Sequence, residues 1–153
     1  MSKYDIINVN IGDFCNAKEG EAMKALIIDD DKVSTFALKK ELEYFEVESV
    51  VCLSGEEGKD VFEKSEIGEY QLIFLDIMMP DKKGSEISAS IRSLKRDDAM
   101  KIPIVAITGI NYDMINRALE VSGFNAVIKK PVSMDILEGL IKTIDLAREY
   151  REK

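Results

Sequence analysis

Five short apolar runs punctuate the chain: "KALIID" (24–29), "VESVVCL" (47–53), "YQLIFLD" (70–76), "IPIVAIT" (102–108) and "NAVIK" (125–129). Each has the length of a strand. They are apolar almost throughout rather than alternating with polar residues, which is the pattern of strands covered on both faces. The segments between them carry a helical period. "KVSTFALKKELEYF" (32–45) is rich in helix formers and places Val33, Phe36 and Ala37 on one face. "SGEEGKDVFEKS" (54–65) opens with a capping box, Ser54 with Glu57 three residues on, and turns Val61 and Phe62 inward. After a turn at Gly84, Ile87, Ile91 and Leu94 form a stripe. Ile115, Ala118 and Leu119 mark another helix, ended by Gly123. Ser133 is placed to cap a last helix with Leu137, Leu140, Ile141 and Ile144 in register, and the closing Arg148, Arg151 and Lys153 suit its C-terminus. Five repeats of strand then helix predict an α/β fold, a doubly wound five-stranded parallel sheet with helices on both faces.

Composition narrows the function. At 153 residues the chain suits one domain with a real core. No apolar run approaches the roughly 20 residues that a membrane-spanning helix needs. The start, "MSKYDIINVNIGDFC", lacks the basic and apolar regions of a secretory signal, so the expected location is cytoplasmic and Cys15 and Cys52 are expected as reduced thiols. Cys52 sits in an apolar run and reads as a core thiol. The net charge of −8 argues against direct binding to nucleic acid or to an acidic membrane. The chain contains no histidine, so it holds no Ser-His-Asp triad and no His-ligated metal. Acid–base, metal or nucleophilic chemistry must fall to carboxylates, hydroxyls, lysines or the two thiols.

In parallel sheets, ligands bind at the carboxyl ends of the strands. The first strand ends in Asp29, Asp30 and Asp31, the third in Asp76, the fourth in Thr108, and the fifth in Lys129 and Lys130 followed by Pro131. Each has a plain alternative reading: a solvated turn, a helix cap, a β-forming threonine, a surface turn. Their coincidence on one sheet edge favours a site. Crowded carboxylates repel one another and take up protons or a cation. Hard oxygen ligands suit Mg²⁺. A metal held by acids beside a lysine and a hydroxyl can receive a phosphoryl group, whose spreading negative charge needs counter-charges and donors. Asp76 would then be the nucleophile, forming an acyl phosphate.

These segments resemble the receiver domain of two-component response regulators, of the chemotaxis-regulator kind. "LIIDDDKVS" resembles the acidic pair after the first strand. "LIFLDIMMPDKKG" resembles the phospho-acceptor segment, "PIVAITG" the segment of the switch hydroxyl, and "VIKKPV" the Lys-Pro. The resemblance spans roughly 24–150, four motifs in order. It implies a flavodoxin-like (βα)5 fold with strand order 2-1-3-4-5. It makes Asp76 the phospho-acceptor, with Asp30 binding Mg²⁺ directly, Asp29 mainly through water, and the Met78 carbonyl as a further ligand. Thr108 would bind the phosphoryl oxygen and Lys130 would pair with the phosphate, through a Lys-Pro bond expected to be cis. Asp31 and Lys129 are bystanders in this reading. The implied donor is a sensor histidine kinase or a histidine phosphotransfer protein. A downstream protein would dock on the face of the fourth helix, fifth strand and fifth helix, with the domain a monomer or a weak homodimer.

Two departures stand out, Val127 and the lack of an expected output domain after the last helix. The family usually has Tyr or Phe three residues before the lysine; this chain has Val127, which puts the usual aromatic readout in doubt. The resemblance also implies that Met78 and Ile110 flank the approach of an attacking water; both are bulky and apolar, which predicts a long-lived acyl phosphate. Residues 1–22 lie outside the resemblance, with the receiver domain expected over 23–153. "YDIINVNI" reads as an edge strand or as tail, and "KEGEAM" is compatible with a purine-rich run just before an alternative start at Met23. With no output domain expected after the last helix, the signal would leave through a partner, or the chain would be the receiver of a larger system. Other classes fit less well. A flavodoxin-like cofactor binder needs a phosphate-cradling loop where "DDDKVS" stands, and a dehalogenase-type phosphatase needs Asp-x-Asp after its first strand. The remaining rival is an interaction module that keeps the receiver fold and is not phosphorylated.

Overall fold

A computed structural model describes residues 6–7, 21–80, 82–109 and 123–151. Along the chain run β1 (Ile6–Ile7), β2 (Lys24–Ile28), α1 (Lys32–Tyr44), β3 (Glu48–Cys52), α2 (Gly55–Lys64) and β4 (Leu72–Asp76). They are followed by α3 (Gly84–Arg92), α4 (Asp97–Lys101), β5 (Ile104–Thr108), β6 (Ala126–Lys129) and α5 (Met134–Arg151). The five parallel strands are ordered β3-β2-β4-β5-β6, the predicted 2-1-3-4-5. The helix expected around Ile115, Ala118 and Leu119 lies outside the described residues, as do Cys15 and Ile110.

The runs that form β2, β4 and β5 became central strands because both of their faces are covered, whereas β3 lies at the sheet edge and is only partly buried. Every residue of β4 and β5 is buried, as are four of the five in β2. Phe74, Leu26, Ile27 and Ile73 are fully buried, each contributing roughly 1.5–3 kcal/mol of apolar transfer free energy. Cys52 is a buried free thiol, and burial pushes its pKa up to about 12. Helix α2 starts as predicted: the Ser54 hydroxyl accepts from the Glu57 amide, and the Glu57 carboxylate accepts from the Leu53 amide. Ser133 Oγ likewise accepts from the Ile136 amide, and Leu137, Leu140, Ile141 and Ile144 are buried along α5.

Three features depart from the simple repeat. The first is β1, which adds a sixth, antiparallel strand at the edge: Ile6 pairs with Ile128 and Ile7 with Val127. The second is the short α4, which the apolar pattern did not signal. The third concerns α1. The face shared by Val33, Phe36 and Ala37 points to solvent, and the residues that bury are Thr35, Leu38 and Leu42.

Candidate phosphoryl-acceptor site

Strands β2 and β4 are neighbours at the point where the strand order reverses, and a crevice opens there at their carboxyl ends. Asp29 directly follows β2 and Asp76 ends β4, so register alone brings the two carboxylates side by side. Both are buried. Asp30 is exposed at the rim, yet one carboxylate oxygen from each of Asp29, Asp30 and Asp76 lies within 4.8 Å of the others. Asp31 plays a different part. It is the N-cap of α1, its Oδ1 accepting from the Val33 amide at 2.9 Å and the Ser34 amide at 3.3 Å. The Ser34 hydroxyl and these amides hold its carboxyl below the usual range.

Lys130 closes the cluster. Its Nζ donates to Asp29 Oδ2 at 2.8 Å and to Asp76 Oδ2 at 3.1 Å. Its backbone amide donates to the Thr108 carbonyl at 2.8 Å, which sets the lysine beside the end of β5. The Lys130–Pro131 bond is cis, as expected. Burial pulls the Lys130 pKa down, but its bonds to Asp29 and Asp76 and their charges prevail and hold the ammonium above the ordinary lysine value. Asp76 shifts upward, first through burial and then through the neighbouring Asp29 carboxylate, with the Met78 amide and Lys130 offsetting part of this. Thr108 is fully buried at the end of β5, whereas Lys129 points to solvent.

The loop after β4 is held close to the acid. The Met78 amide donates to Asp76 Oδ1 at 2.9 Å, and Met78 bridges to Lys83. The Met78 side chain is 54% exposed at the site's mouth. A Cβ on Gly84 would stand 2.5 Å from Ile77 Cα and 2.9 Å from the Asp76 carbonyl oxygen, so only glycine lets α3 begin this near the acid.

The structure therefore brings together Asp29, Asp30, Asp76 and Lys130, with the Thr108 backbone linked to Lys130. One acidic residue beyond these stands out. Glu41, on the third turn of α1, has a buried Oε2 with no hydrogen-bond partner among the described residues. Within "KKELEY" it reads as part of a solvated charged run; its register, three beyond the inward Leu38, is the only sequence signal of burial.

Comparison with known proteins agrees with this architecture. The model of the response regulator receiver domain matches residues 25–142, and the chain belongs to this family. It is 31% identical over 128 residues to the osmosensing histidine protein kinase SLN1 of Saccharomyces cerevisiae, covering 81% of this chain but 10% of the kinase. It spans 53% of the transcriptional regulatory protein CrdR of Helicobacter pylori, at 26% identity. A two-component response regulator from Clostridium difficile superposes with a TM-score of 0.69 at 33% identity, covering 80% of this chain and 94% of that one. No helix among the described residues is long and apolar enough to cross a membrane.

Proposed function

We propose that this domain is a phospho-accepting switch, taking a phosphoryl group from a protein phosphohistidine onto Asp76. The observation that carries the proposal is the three-acid cluster at the switch point with Lys130 bridging Asp29 and Asp76. The donor set fits Mg²⁺: hard carboxylate oxygens converge at an open rim, and Asp29, Asp30, Asp76 and the Met78 carbonyl would hold the ion. When bound, it supplies positive charge to the oxygens of the phosphoryl group.

The chain's own residues account for the rest. Asp76 Oδ1 is engaged by the Met78 amide, which leaves Oδ2, beside Lys130, to attack phosphorus. The new O–P bond forms as the donor's P–N bond breaks. The electron pair of that bond passes to the imidazole nitrogen, which takes up a proton. Lys130, already poised between the acids, moves its charge from carboxylate to phosphoryl oxygen, and the Thr108 hydroxyl donates to another oxygen of the group. The donor belongs to a sensor histidine kinase or a histidine phosphotransfer protein, consistent with receiver relatives that lie within histidine kinases. The output surface would be the one built around β6 and α5, toward a protein partner, with no role for direct nucleic-acid contact and with a monomeric or weakly dimeric domain.

The test is labelling by phosphoramidate with Mg²⁺, read by intact-protein mass. The wild type should gain one phosphoryl group and Asp76→Asn none, because an amide does not attack phosphorus. Full labelling of the variant would reassign the acceptor. Absence of labelling and of fluoroberyllate-induced NMR shifts in the wild type would instead make the domain a non-phosphorylated interaction module.

A further inference from the structure

The two edges of the sheet are closed to different degrees. At one, β1 lies along β6. At the other, β3 has β2 on its inner side and no strand on its outer side among the described residues. Backbone groups alternate in direction along a strand, and an edge strand turns one set of them outward. The Glu48 amide donates to the Met23 carbonyl and the Cys52 carbonyl accepts from the Asp29 amide, so Glu48, Val50 and Cys52 face β2 while Ser49, Val51 and Leu53 face out. Side chains cover this outer row at both ends. Lys39 Nζ donates to the Ser49 carbonyl at 2.8 Å, and the Glu57 carboxylate accepts from the Leu53 amide at 3.1 Å. Between them, the amides of Ser49 and Val51 and the carbonyl of Val51 are met by no described residue. An open cleft of about 530 Å³ lies beside the start of β3 and the end of α1, with Lys39, Glu43, Glu46, Glu48 and Ser49 on its walls.

The charge in this cleft is one-sided. Lys39 is occupied by the Ser49 carbonyl, and Lys24, also on the cleft wall, pairs with Glu69 at 3.0 Å. Glu46 and Glu48 are exposed and form no ion pair among the described residues. Ser49 Oγ is removed from water and has no hydrogen-bond partner among the described residues. Glu46 closes α1 at a φ of 60°, the left-handed conformation that glycine adopts most readily, so a carboxylate stands where the backbone alone favours glycine. We infer that this edge takes up an extended peptide segment of a partner protein, with a lysine or arginine at the end that lies over Glu46 and Glu48. The unmet amides and carbonyl supply the backbone pairing. The free carboxylates select a cation, and they repel a second copy of a chain whose net charge is −8. Glu48 and Val51 are three residues apart, about 10 Å at a rise of roughly 3.3 Å per residue, so the basic residue belongs about three positions from the one paired with Val51. Strand β2 separates this edge from the acid-bearing β4, and the docking does not depend on phosphorylation of Asp76.

The probes are fluorescent peptides of alternating threonine and valine that carry two arginines at one end or at the other, with glutamates in the same places as controls. Binding to the full chain is read by fluorescence anisotropy. One of the two arginine peptides should bind about tenfold more tightly than the other and than its glutamate control. Methylating the backbone nitrogens of every second peptide residue removes one row of donors. One frame of methylation should abolish binding and the other should keep it, because only one row of peptide amides faces β3. Val51→Pro removes the outward amide without touching the ladder to β2 and should weaken the peptide, with thermal unfolding as the check on the fold. Glu46→Gly gives the turn after α1 the residue that its φ favours, so weaker arginine-peptide binding in that variant reports the lost carboxylate and not a lost fold. Equal binding by the two methylated frames would mean that charge alone attracts the peptide and would overturn the strand pairing. Equal affinity for arginine and glutamate peptides, or no binding by either, would overturn it too. A dimer in sedimentation that Val51→Pro dissolves would give the edge to a second copy of the chain in place of a peptide.

Discussion

A buried aspartate next to a second carboxylate pays for its position at neutral pH. The folded-state pKa of Asp76 is raised by burial first and then by Asp29. The native state therefore binds more protons than the unfolded chain above its carboxylate pKa of about 3.9, and stability falls as pH rises from there through the folded pKa. Asp76→Asn removes that burden while keeping the shape. In EDTA the variant should melt at a higher temperature than the wild type at pH 7.5, and the gap should close as the pH approaches 4. A wild type that is equally or more stable at pH 7.5 would mean that Lys130 fully compensates the pair. The acids of "DDD" divide in the same way. Asp30→Ala should weaken Mg²⁺ binding strongly in a metal titration. Asp31→Ala should leave it nearly intact and lower stability through the lost N-cap of α1. Equal losses of affinity would put the wrong member of the pair at the metal. Asp29, Asp76, Thr108 and Lys130 were legible in the sequence because apolar strands end on them. Glu41 was not, since nothing local distinguishes a glutamate that packs into a cleft from one that faces water.

Among the elements, the least legible was the join between α2, α4 and the loop that leads to β4. Its organiser is Arg96. The guanidinium donates to the carbonyls of Phe62, Glu63, Ser65 and Glu66 at the C-terminus of α2, lies 4.5 Å from the Phe62 ring centroid, and grips the buried Asp98. Asp98 in turn accepts from the Gly68 amide. "SLKRDDAMK" has no apolar period and reads as surface; the pairing that makes it a helix is tertiary. Arg96→Ala leaves Asp98 as an uncompensated buried charge and uncaps α2, a loss on the order of 3 kcal/mol. Arg96→Lys should recover little of it, because an ammonium cannot fork to four carbonyls and a carboxylate at once. Urea unfolding of the two variants measures both, and a lysine variant as stable as the wild type would show that charge alone suffices. The five parallel strands, by contrast, all fall inside the five apolar runs. Burial on both faces imprints itself on every residue of a strand, whereas a helix made by one arginine leaves no pattern.

At the scale of the molecule, β1 sits on the open edge of β6 through two residue pairs, and Val127 stands where the family pattern favours an aromatic. Beginning the chain at Met23 removes this strand and the bond from Arg148 to the Glu21 carbonyl, but it leaves the buried Met23 and the five-stranded core. Thermal unfolding of the shortened chain should therefore stay cooperative, with a loss of about 1–2 kcal/mol for the bonds given up. Collapse of the fold would make the edge strand integral to the sheet. The pairing was one of the alternatives open in the sequence, because a short apolar segment marks an edge strand no better than a tail. The wiring of the site has a consequence for how the domain is assembled. Lys130 meets Asp29 across 101 positions of chain and Asp76 across 54. A nascent or clipped chain can hold either acid in place and still lack the cation that joins them. Contacts so distant along the chain are closed only when the last parallel strand is laid down. On the proposed function, the joined cluster is thus also a check on the fold: a domain that has not laid down its last parallel strand has no assembled site to phosphorylate.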